Sequence, residues 1–109
     1  MAFEDRHLAA DCADDRAGAR RFGSVQWAVI RRRLAVLQAA PTLAQLVGVP
    51  GRPHALTGDR MGQFALDLRG PYRLVFEPDH HPLPELATGG LDRAQVTRIR
   101  ILAIEDYHD

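Results

Sequence analysis

Two hydrophobic periodicities divide this chain, and any fold it adopts must bury both. Trp27, Ile30, Leu34 and Leu37 recur at three- and four-residue spacing, the repeat that lines one face of an α-helix. Ser24 stands where an N-cap is wanted and Pro41 closes the segment. Beyond Pro50 the repeat shortens to two. Phe64, Leu66 and Leu68 alternate with Gln63, Ala65, Asp67 and Arg69, and after Gly70-Pro71 a second run alternates Tyr72, Leu74 and Phe76 with Arg73, Val75 and Glu77. Two half-buried strands joined by a short turn read as a β-hairpin.

The remaining segments extend the same pattern. Met1–Glu4 is a candidate first strand, and His7–Arg21 is predicted as one helix stopped by Gly23. Thr42–Val47 gives a further helical turn, and His54–Thr57 a short strand leading through Gly58-Asp59-Arg60-Met61-Gly62 to the hairpin. Residues 78–94, with three prolines and Gly89-Gly90, read as a long loop or extended hairpin tip. Val96–Ile104 resumes as a strand, with Ile99, Ile101 and Ala103 on one face and Arg98, Arg100, Leu102 and Ile104 on the other. The expectation is one α+β domain over residues 1–109, a two-helix hairpin packed on a small antiparallel sheet, with an insert near 78–95.

At 46% hydrophobic and 26% charged residues the composition is that of a folded globular domain. No apolar run approaches bilayer length, and the opening MAFEDRHLAADC lacks the pattern of a signal peptide, so a cytoplasmic protein is expected. The single Cys12 excludes an internal disulfide.

A net charge of zero hides a basic middle. Residues 16–73 hold ten arginines against Asp59 and Asp67, flanked by acidic ends, and all 14 basic residues are arginine. GC-rich coding is the favoured explanation of that bias, although arginine's planar fork also suits phosphate. Arg31, Arg32 and Arg33 lie off the apolar stripe, forming either a solvated face or a contact for an acidic partner.

Enzyme signatures of the common kinds are missing: no phosphate-binding P-loop, no dinucleotide fingerprint, no G-x-S-x-G. The five histidines show no metal spacing, so neither metal nor cofactor is expected. What remains is a polar set on the strand region: His54, Arg60, Arg73, and the cluster Asp106, Tyr107, His108. Metal-free RNA scission needs a base for the ribose 2′-hydroxyl, a cation for the crowded phosphorane and an acid for the leaving 5′-oxygen. These residue types supply all three.

The run Pro50-Gly-Arg-Pro-His-Ala-Leu-Thr-Gly-Asp-Arg-Met-Gly-Gln63, the segment Tyr72-Arg-Leu-Val-Phe76 and the ending Glu105-Asp-Tyr-His108 together resemble the RelE/ParE superfamily of toxins, in its HigB-like branch. Leu34–Ala40 and Leu43–Leu46 also fit, so the resemblance covers the chain from about residue 20. It implies a RelE-like fold and a bacterial toxin that cleaves mRNA on the ribosome and is neutralised by a cognate HigA-like antitoxin in a hetero-oligomer. Carried over, His54, Arg73, Asp106, Tyr107 and His108 would be catalytic, with His108 transferring protons, Tyr107 positioning the nucleotide and Arg73 stabilising the scissile phosphate. Arg52, Thr57, Arg60 and Gln63 would bind RNA. Thr57 departs from the motif, which more often has lysine there. Two other readings stay open: a ParE-like poison of DNA gyrase, and a degenerate module that only binds its antitoxin.

Overall fold

The computed structural model describes residues 1–106. A layer of helices covers one face of a five-stranded sheet ordered β1-β5-β4-β3-β2. The strands are β1 (Ala2–Phe3), β2 (His54–Ala55), β3 (Phe64–Asp67), β4 (Tyr72–Pro78) and β5 (Ile99–Asp106). The α+β class is as expected, but the sheet is mixed rather than purely antiparallel. β1 pairs in parallel with β5, while every other neighbouring pair is antiparallel.

Among the described residues three α-helices are present instead of two: α1 (Arg6–Asp11), α2 (Asp15–Phe22) and α3 (Ser24–Ala39). The single helix predicted over His7–Arg21 breaks at Asp14, whose side chain accepts the Ala17 amide at 2.8 Å and so starts a new helix. α2 and α3 form the expected helical hairpin, yet Ser24 is not its cap. Gly23 closes α2 and opens α3 at φ 82°, ψ 154°, a left-handed conformation that glycine adopts without steric cost.

The α3 stripe is buried as its spacing predicts. Trp27, Ile30, Leu34 and Leu37 pack with Leu43 and Leu46 against the inward residues Phe64, Leu66, Leu74, Phe76 and Ile101. Phe64 and Phe76, opposite each other across β3 and β4, stack with ring centroids 5.8 Å apart. Leu56, Ala65, Val75 and Leu102 form a smaller apolar cluster on the opposite face.

One irregularity decides what that outer face carries. Phe76 pairs with Ile101 and Val75 with Ala103, so Leu102 is an extra residue in β5, a β-bulge. The predicted alternation therefore fails after Ile101. Ile104 lies opposite Leu74 and joins the main core, instead of sharing a face with Leu102. Glu105 lies opposite Arg73 on the outer face. The insert after β4 is an extended excursion, with a bridge between Glu85 and Leu91 and a short 3-10 turn at Arg93–Gln95. His80 clasps its base, Nε2 accepting the Thr97 and Arg98 amides at 3.0 and 3.2 Å.

Candidate functional site

The polar cluster at one end of the outer face is assembled by strand register. Asp67, Arg73 and Glu105 stand side by side across β3, β4 and β5. The 3-10 turn Gly58–Arg60 folds back toward them, and Arg60 spans from Gln63 to Glu105. Its Nε donates to Gln63 Oε1 at 2.7 Å, while Nη2 and Nη1 donate to Glu105 Oε1 and Oε2 at 2.9 and 3.2 Å. Arg73 reaches the same carboxylate from the strand, its Nε and Nη2 donating to Oε2 at 3.1 and 2.8 Å. Beside them Arg52 donates to Asp67 through Nε at 2.8 Å.

Two guanidinium forks thus close on one carboxylate. Hydrogen bonds from Arg60, and secondarily from Arg73, hold Glu105 below the usual glutamate range against the opposing effect of burial. The same pairing raises Arg60. A carboxylate depressed in the folded state stabilises fully above its unfolded value of about 4.3, and that stabilisation is lost as the pH falls through the folded value. Glu105→Gln is therefore expected to be less stable than the native chain at neutral pH. Urea titrations from pH 7 into strong acid should show the two stabilities converging; a constant gap would overturn the pairing.

Of the nine residues singled out in the sequence, Arg52, Arg60, Gln63 and Arg73 meet in this cluster. His54 stands opposite Ala65, which shares the outer face. Its Nδ1 lies 2.8 Å from the Arg52 carbonyl, which can only accept, so Nδ1 carries the hydrogen. In the neutral ring Nε2 is then the nitrogen able to take a proton. Thr57 is exposed at the start of the 3-10 turn, where its carbonyl accepts the Arg60 amide. Asp106 ends β5 opposite Tyr72. Tyr107 and His108 lie outside the described residues. Sequence reasoning missed Glu105. No signal marked it, because residues 101–104 are all apolar and the bulge at Leu102 that turns Glu105 outward leaves no trace in their alternation.

Elsewhere the chemistry is structural. Arg100, at the other end of the outer face, lies 2.8 Å from Glu77, 3.4 Å from Asp79 and 3.1 Å from Glu4, tying β1, β4 and β5 together. Burial, with Asp11 nearby, pushes the Cys12 thiol up to about 11, so it stays protonated at neutral pH and is a poor nucleophile. Among the described residues no group of histidine, cysteine or carboxylate side chains is placed to hold a metal ion, and no helix is long and apolar enough to cross a membrane.

The cluster is a pair of arginine forks closed on one carboxylate, a donor set that matches an anion. Arginine forks suit phosphate as well as carboxylate, and His54 follows Arg52 by two residues, with its ring held on the Arg52 carbonyl. No protein-family model, curated protein or solved structure matches the chain.

Proposed function

We propose that this chain is the toxin of a bacterial toxin–antitoxin pair, a metal-independent endoribonuclease that cuts mRNA on the ribosome. The observation that carries the reading is the closing of Arg60 and Arg73 on one point of the outer face, at the strand end that leads directly into Asp106-Tyr107-His108. In this reading Arg73 and Arg60 receive the scissile phosphate and offset the charge that builds on its oxygens as the 2′-oxygen attacks phosphorus. His108 is the first choice for proton transfer, with His54 Nε2 orienting the substrate or sharing that role. Tyr107 stacks on or hydrogen-bonds a nucleotide, and Asp106 orients the histidine or the ribose. Arg52 and Gln63 contact the RNA backbone. No cofactor is required. The toxin would act in the cytoplasm and be held by a HigA-like antitoxin in a hetero-oligomer.

The test is induction of the chain in cells lacking the antitoxin, with new mRNA 5′ ends mapped beside a His108→Ala control. Growth arrest with cuts inside translated frames, lost in the control, is the expected result. Arrest without cuts would replace this reading with a gyrase poison. Absence of arrest would leave an antitoxin-binding module, and cuts persisting in the control would remove His108 from the chemistry.

A further inference from the structure

Glu105 does more in this geometry than balance charge. Its Oε2 accepts three hydrogen bonds, one from Arg60 and two from Arg73, and its Oε1 accepts a fourth. The donors come from separate elements, the 3-10 turn and β4, and close on the carboxylate from different directions. Such an arrangement of forks around a compact anion is also what a phosphate group requires. The group is reachable, the Glu105 and Arg60 side chains being 26% and 35% exposed.

The bulge at Leu102 has a specific effect here. A strictly alternating β5 that kept Ile101 inward would turn Glu105 inward as well; the extra residue instead places Glu105 opposite Arg73 on the outer face. Charge counting points the same way. Glu105 is the carboxylate that both forks share, and loss of its charge makes the local balance more positive by one.

We propose that Glu105 is a built-in anion seated between Arg60 and Arg73, which an RNA phosphodiester must displace to bind there. The inference rests on the reading of these arginines as phosphate contacts. It makes the cluster self-blocked: the forks are held in place by an internal carboxylate, and an RNA strand pays for entry by expelling it. Weak RNA phosphates presented singly would then be excluded, and an RNA held by additional contacts would be admitted.

The test measures binding of a labelled six-nucleotide oligouridine to the purified full-length chain at constant ionic strength, without ribosomes. Glu105→Gln, nearly isosteric, is expected to bind about tenfold more tightly than the native chain, as removal of one like charge at contact distance would give. Glu105→Ala should do the same, which guards against a fault peculiar to the amide. Adding Arg60→Gln to Glu105→Gln should return affinity to the native level. Glu77→Gln removes an equal charge from the far end of the same face and should change affinity by less than about twofold.

Unchanged or weaker binding by both Glu105 variants would overturn the proposal, making the carboxylate a positioning group. Equal tightening by Glu77→Gln would overturn it too, since general charge would then be responsible. Failure of the two proposals is separable. Tighter binding by the Glu105 variants with no mRNA cuts in cells removes only the nuclease reading, and cuts in cells without the affinity gain remove only the displaced carboxylate.

Discussion

Replacing Trp27 with alanine is expected to cost the fold about 3–5 kcal/mol, the range for truncating a large buried aromatic. The ring is 5% exposed and joins the helical layer to itself rather than to the sheet alone. On one side it lies against Gly18 of α2, so close that a Cβ at residue 18 would fall 2.1 Å from ring atom Cδ2. On another it stacks on Phe22, with centroids 6.5 Å apart. At its edge Nε1 donates to Asp15 Oδ1 at 2.8 Å, and Asp15 also accepts from Arg31 at 2.9 Å. Trp27→Ala would therefore open a cavity between α2 and α3 and leave the flat approach at Gly18 without a partner. Since domains of this size are stable by roughly 5–15 kcal/mol, much of the margin would go. Urea unfolding followed by circular dichroism measures it. A loss below about 1 kcal/mol would mean that α2 does not depend on this ring for its place.

How much of this could be read in the residues varies with the kind of signal. The α3 stripe and the β3–β4 hairpin were legible because each is a local period repeated several times, and burial enforces the period. The outward register of Arg73 follows from the same alternation. Three features were not legible in that way. α1 ends at Asp11 and Asp14 caps the start of α2, so a local cap divides a stretch whose alanines and arginines read as one helix. β1 joins the sheet in parallel through two residues, too few to carry any pattern. The bulge at Leu102 shifts a two-residue period by one, and a reading that assumes the period assigns every later side chain to the wrong face. Ile104 was misassigned for that reason, and Glu105 was passed over. The approach of Arg60 to Glu105 across 45 positions depends on tertiary folding alone.

These geometrical differences set the ranking of the arginines. Arg73 sits on β4, flanked on both sides by paired strands, and its side chain is 17% exposed. Arg60 sits on a short turn and is 35% exposed, about twice as much. A guanidinium held on a central strand has little freedom left to lose when a phosphate arrives, and its partial burial weakens the competition from water. If the chain cuts mRNA, Arg73→Gln should reduce cutting by about 10²–10³-fold, comparable to removing one preorganised donor from a site of developing negative charge. Arg60→Gln should lose less, because its fork is less constrained before the substrate binds. The comparison is made on one mapped cut site, with equal amounts of each variant and with melting curves showing that both remain folded. A loss from Arg60→Gln exceeding that from Arg73→Gln would place the scissile phosphate nearer the turn than the strand. Cutting undiminished in Arg73→Gln would remove the β4 arginine from the reaction, and with it the case for placing the chemistry on this face of the sheet.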